Sequence, residues 1–136
     1  MEKEEKRKQG RRNRIKGRQF ENKVRQELTD NGWLVFKNDH NVEFINDKGY
    51  FLPAKKKFNP FTKRIMMIGS GFPDFVCIHP SMKHTIVQFI ECKMNKYLDK
   101  IERKRIKWLK AHFHIPCYIA FQEKEGRKNI IKYMEV

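Results

Sequence analysis

Acidic residues are scarce in this chain of 136: 16 Asp and Glu stand against 31 Lys and Arg, giving a formal net charge of +15 and a pI near 9.9. So one-sided a balance points to a polyanionic partner. Long apolar runs are missing as well. The longest, such as Thr85 to Ile90, are far too short to cross a bilayer, and the N-terminus carries charge where a signal peptide needs its apolar stretch. The expectation is a soluble cytoplasmic protein without membrane contact, a nucleoid-associated or viral setting being left open. Cysteine is sparse, and Cys77, Cys92 and Cys117 lie far apart with no Cys-x-x-Cys and no Cys/His cluster at zinc spacing. Each sits in an apolar, β-like run, as buried free thiols in a reducing compartment do. Histidines 40, 79, 84, 112 and 114 show no pairing that suggests a ligand set or a Cys/His nucleophile.

What remains is a hydrophobic fraction of 39% with 12% aromatics, enough for a modest core in a chain of single-domain length. Residues 1–17 have no apolar residue between Glu2 and Arg14 and read as a mobile basic arm. Arg11, Arg12, Arg14, Lys16 and Arg18 make it either a phosphate-binding arm or a solvated tail. From Arg18 to Asn31, Phe20, Val24 and Leu28 recur every four positions and Gly32 follows as a C-cap, which predicts a helix. Trp33 to Lys37 reads as a strand. Residues 39–64 read as an insertion, a hairpin followed by a basic loop. There Lys55, Lys56, Lys57, Lys63 and Arg64, interleaved with Phe58 and Phe61, would grip a sugar-phosphate backbone, or form a surface loop pinned by its own aromatics. Ile65–Ile68, Phe75–Ile78 and Thr85–Ile90 look like strands, the last two joined in a hairpin across His79 to Lys83. Leu98 to Phe113 reads as a second helix with Leu98, Ile101, Arg105, Trp108, Leu109 and His112 on one side. A pair of strands, 116–121 and 130–134, follows. The order helix, strands, helix, strand, strand, with no internal repeat and no linker, predicts one α/β or α+β domain over 18–136.

In the 75–90 hairpin, antiparallel register sets residues whose numbers sum to about 165 opposite one another, so Asp74 meets Glu91 at the open end. Alternation puts Asp74, Val76 and Ile78 on a face with Val87, Phe89, Glu91 and Lys93, while Cys92 points the other way. Two carboxylates and an ammonium on an apolar face are costly unless balanced, and a divalent cation balances them. Asp74, Glu91 and the main-chain carbonyl of Cys92 would supply hard oxygen ligands to Mg²⁺, with Mn²⁺ able to substitute, and Lys93 would orient or deprotonate an attacking water. Taken singly, Asp74 or Glu91 is more often an ordinary strand-end carboxylate; together, in a strongly basic chain, they suit phosphodiester hydrolysis.

Pro73-Asp74 followed by Glu91-Cys92-Lys93 resembles the PD-(D/E)XK nucleases. The Gly71-Phe72-Pro73-Asp74-Phe75 segment, the Glu-Cys-Lys triplet and a glutamate on an early helix are similar to the VRR-NUC family and to the archaeal Holliday-junction resolvases, over roughly Lys16 to Phe121. The resemblance implies a restriction-endonuclease-like αβββαβ core with a mixed central sheet flanked by helices. It also implies that Glu21, in the segment Lys16 to Glu21, helps to bind the metal. Glu21 lies on the stripe of Val24 and Leu28, and a rim glutamate paired with Lys16, Arg18 or Arg25 is the other reading of it. By the same resemblance Arg105 stands where relatives often carry a glutamine and would contact the scissile phosphate, and Ser70 matches a serine of the resolvase loop. Lys104 and Lys107 read as solvated or phosphate-contacting.

The function expected is a Mg²⁺-dependent endonuclease hydrolysing DNA phosphodiester bonds, acting on branched DNA, a flap or a Holliday junction in repair, recombination or replication. Symmetric cutting of two strands would require a homodimer. The alternatives are a non-catalytic nucleic-acid-binding protein that retains the fold, and a nuclease acting on RNA.

Overall fold

The computed structural model describes residues 2–68, 71–81 and 83–136, with the side chains of 55–59 and 65–68 left aside. Ser70 and the side chains of Lys55, Lys56 and Lys57 therefore lie outside the described residues.

Helix α1 runs from Glu2 to Asp30. The stretch 1–17, expected as a mobile arm, is thus helical from Glu2 onward. Hydrophobic periodicity is blind to it because none of its described residues is buried, yet Glu, Lys, Arg and Gln are good helix formers. Glu2, Glu4 and Glu5 in the first turn complement the helix dipole. A Lys8–Glu4 ion pair at 3.1 Å and a Gln9 to Asn13 hydrogen bond at 3.0 Å add support along its surface. The buried part begins at Phe20 and continues through Val24 and Leu28, as their spacing requires. The helix ends at Gly32, whose φ of 89° few other residues adopt, and both bonds of a Schellman motif are made: Gly32 N–H to Thr29 C=O and Trp33 N–H to Leu28 C=O, each 3.0 Å.

Strand β1 (Leu34–Lys37) follows, then two inserted hairpins, β2 (His40–Ile45) with β3 (Lys48–Pro53), and β4 (Lys55–Asn59) with β5 (Arg64–Ile68). The region expected as one hairpin and a basic loop is therefore two hairpins. Ile65–Ile68 pairs with Lys55–Phe58 in a separate two-stranded sheet instead of joining the central one. Strands β6 (Phe75–Pro80) and β7 (Thr85–Cys92) pair antiparallel in the expected register, with Val76 opposite Phe89 and Ile78 opposite Val87.

Helix α2 (Lys100–Phe113) crosses to β8 (Cys117–Glu125), which lies parallel to β7, and β9 (Lys128–Glu135) returns antiparallel. The result is a mixed five-stranded sheet in the order β1-β6-β7-β8-β9, with two helices.

Alternation divides the sheet's side chains between two cores. Phe75, Cys77, Ile90 and Ala120 pack against Phe20, Val24 and Leu28 of α1. Phe89, Cys117, Ile119 and Phe121 pack with Ile106 and Leu109 of α2 and with Val42 of the first hairpin. Each Val, Leu, Ile or Phe side chain so buried contributes roughly 1.5–3 kcal/mol. Cys77 and Cys117 are buried free thiols, and burial pushes both up to about 12.

Helix α2 keeps Arg105, Trp108 and Leu109 of its expected face but not Ile101 or His112. Ile101 is 60% exposed and His112 is exposed, while Glu102, Arg105, Ile106 and Leu109 turn inward. Leu98 is buried but precedes the helix, whose N-cap is Asp99 in a complete capping box with Glu102. Among the described residues no helix is long and apolar enough to cross a membrane.

Candidate active site

Asp74 and Glu91 meet at the end of the β6–β7 hairpin away from its turn, and each is only 5% exposed. The loop that delivers Asp74 is clamped by buried Asn38. Its side-chain amide donates to the Pro73 carbonyl at 2.8 Å and to the His40 carbonyl at 3.0 Å, and its backbone N–H donates to the Asp74 carbonyl at 2.9 Å. Gly71 passes so close to the Asn38 backbone that a Cβ there would overlap the Asn38 carbonyl.

Asp74 Oδ2 accepts a hydrogen bond from the Cys92 backbone N–H at 2.9 Å, which ties the start of β6 to the end of β7. Its Oδ1 lies 3.7 Å from Lys37 Nζ, and the same ammonium is 3.2 Å from Glu21 Oε2. Glu21 therefore pairs with Lys37, and not with Lys16, Arg18 or Arg25. Asp74 stands close enough to both Glu21 and Glu91 for its charge to act on each.

Burial, then the neighbouring Asp74, raises Glu91 well above the usual carboxylate range. The same two causes raise Glu21, with Lys37 opposing. Among the described residues, Glu91 Oε2 is buried without a hydrogen-bond partner, as is Arg105 Nε. Lys93 Nζ forms an ion pair with Glu102 Oε2 at 2.8 Å. Partial burial disfavours the Lys93 charge, but the Glu102 hydrogen bond and the charges of Glu102, Glu91 and Asp74 outweigh it and raise the lysine above its ordinary value.

These groups line one cavity of about 450 Å³, walled by Glu21, Asp74, Glu91, Cys92, Lys93, Glu102 and Arg105. A second cavity of about 320 Å³ shares Glu21, Cys92 and Lys93 with it and adds Asn13 and Lys16. Every residue expected at the chemistry (Glu21, Asp74, Glu91, Cys92, Lys93 and Arg105) thus reaches the first cavity, and Lys16 reaches the second.

Other expected contacts stand elsewhere. Lys104 places its ammonium 4.2 Å from the centre of the Phe44 ring, and Lys107 lines a separate depression with Lys110 and Val136. Lys63 and Arg64 are exposed at the tip of the β4–β5 hairpin, while Arg11, Arg12, Arg14 and Arg18 are exposed on α1.

Sequence reasoning missed Lys37, Asn38 and Glu102. Only Glu102 carried a readable sign, the Asp99-x-x-Glu102 capping box. Lys37 becomes relevant through its pairing with Phe75, next to Asp74, which no local pattern reveals.

No group of three or more His, Cys, Asp or Glu among the described residues stands ready to hold a metal ion. The donor chemistry nevertheless suits a hard divalent cation, because two nearly buried carboxylates, one with an unpartnered oxygen, and a half-buried third face one open cavity. Comparison with known protein families, with curated protein sequences and with solved structures finds no match.

Proposed function

We propose that this chain is a Mg²⁺-dependent endonuclease of the PD-(D/E)XK type, with an αβββαβ restriction-endonuclease-like core, hydrolysing phosphodiester bonds in branched or otherwise structured DNA. The observation that carries the reading is the buried, unpartnered Oε2 of Glu91 beside Asp74 in an open cavity that Lys93 also lines. A protein that only binds a polyanion gains nothing from burying acids where the polyanion would lie. The strand order α1, β1, β6, β7, α2, β8 supports the core, since the inserted hairpins leave that succession intact.

Asp74, Glu91 and the Cys92 carbonyl, with Glu21, would hold Mg²⁺ or Mn²⁺. When bound, the ion supplies a Lewis acid for a phosphate oxygen and lowers the pKa of a water. Glu102 keeps Lys93 charged, so Lys93 orients the attacking water by donating a hydrogen bond and offsets charge growing on the phosphate, and does not act as the base. Arg105, buried at Nε and open to the cavity, would donate to the scissile phosphate. Lys37 offsets the repulsion between Glu21 and Asp74.

The test is cleavage of labelled single strand, duplex, flap, splayed arm and four-way junction, beside matched RNA hairpins, in Mg²⁺, Mn²⁺ or EDTA. Metal-dependent cutting of branched DNA is expected, falling at least about 100-fold in Asp74→Ala and Glu91→Ala. Binding of every substrate with cutting of none would overturn the reading in favour of a binding module, and cutting of RNA alone would reassign the substrate.

A further inference from the structure

Helix α1 carries more than the one glutamate at the cavity. At about 100° of rotation per residue, Arg7, Arg11, Arg14, Arg18 and Arg25 fall within about 60° of arc, and between positions 4 and 28 no other residue occupies that arc. Only Arg12 among the arginines of α1 lies off the stripe, whereas Lys3, Lys6, Lys8, Lys16 and Lys23 are spread around the remaining faces. All five stripe arginines are exposed, and none takes part in the ion pairs formed by the described residues. A helix that merely needed solubility would not sort its guanidinium groups from its ammonium groups. Guanidinium differs from ammonium in presenting a planar fork of donors that matches a phosphate with two parallel hydrogen bonds.

From Arg7 to Arg25 the stripe spans about 27 Å at about 1.5 Å per residue. It runs alongside the candidate site, because Glu21 is three residues beyond Arg18 and about 60° around the helix from it. We propose that the arginine stripe of α1 is a track for the phosphodiester backbone of a duplex DNA arm, which it grips over at most about eight base pairs, at about 3.4 Å each, and holds beside the Glu21, Asp74 and Glu91 cavity. The sequence suggests phosphate contact by residues 11–18. The helical register extends it to Arg7 and Arg25, excludes Arg12, and gives it a direction along the axis of α1. The inference takes from the nuclease reading only the identity of the DNA arm.

The test compares two triple variants with equal loss of charge, Arg7→Gln/Arg11→Gln/Arg14→Gln on the stripe and Lys3→Gln/Lys6→Gln/Lys23→Gln off it. Glutamine is a good helix former, and far-ultraviolet circular dichroism checks that both retain the wild-type helicity. Affinity for a duplex of about 20 base pairs is measured by fluorescence anisotropy in EDTA over a salt series. The stripe triple is expected to lower the slope of log affinity against log salt by about 2 to 3, and the lysine triple by less than 1. Equal changes in both triples, or no change in either, would overturn the track. Because EDTA makes the readout independent of cleavage, the two readings fail separately. DNA gripped by the stripe yet never cut in Mg²⁺ defeats the nuclease reading alone, and normal cutting with equal slopes in both triples defeats the track alone.

Discussion

Glu91 is where folding and chemistry pull in opposite directions. Its carboxyl is 5% exposed, and burial followed by the neighbouring Asp74 raises its pKa well above the ordinary 4.5. A raised acid binds its proton more tightly in the folded state than in the unfolded chain, so protonation favours the fold. The stability tied to that proton is fully present below about pH 4.5 and is lost as pH rises through the higher folded-state value. Glu91→Gln keeps the shape and removes the titration. In EDTA at pH 8 the variant is expected to melt a few degrees above wild type, on the order of 1 kcal/mol, and the two should converge below about pH 4.5. Thermal melts over a pH series check this, and a variant melting below wild type at pH 8 would show that Glu91 is compensated by groups other than those around Asp74. The same substitution should abolish cleavage, a gain in stability with a loss of function.

At the scale of elements, the loop from Gly71 to Asp74 depends on β1 and its exit, since Asn38 holds it through the Pro73 and Asp74 carbonyls. Gly71→Ala drives a methyl into the Asn38 carbonyl, and main chain on main chain cannot yield cheaply. A stability loss of at least about 2 kcal/mol is expected by denaturant titration, together with loss of cleavage because Asp74 moves with the loop. Wild-type stability in this variant would mean that the loop is looser than its contacts suggest. The hairpin carrying Asp74 and Glu91 was legible in the sequence because a short turn fixes register and alternation then fixes facing. The end of α1 was legible because Gly32 has one good use at that position. Residues 2–17 were not, because an exposed helix leaves no apolar period to read. The inward face of α2 was legible only in part: Arg105, Trp108 and Leu109 lie inward as their spacing predicts, but Ile101 and His112 are exposed while Glu102 and Ile106 turn inward. The Asp99 cap and the sheet surface decide that face. The inward turn of Glu102 brings it to Lys93, so a face drawn without Glu102 concealed a site residue.

For the whole molecule the dominant quantity is the net charge of +15, with ion pairs along its surface too weak to offset it. Lys132 with Glu123 and Glu125, and Lys8 with Glu4, are solvent-exposed pairs worth little each, and with 31 basic against 16 acidic side chains the charge is left largely unbalanced. Salt should therefore act on the fold and on the complex with opposite signs. Screening relieves the self-repulsion of the free protein, while in the complex it removes the entropy gained when DNA releases its counterions. Raising salt from about 50 to about 200 mM is expected to increase the melting temperature of the free protein by a few degrees and to reduce duplex affinity by about 10³-fold or more, if six or more phosphates are engaged. Melting and anisotropy titrations in the same buffers measure both. A melting temperature that falls with salt would mean that the ion pairs outweigh the repulsion. An affinity indifferent to salt would mean that the basic surface is not what holds the nucleic acid.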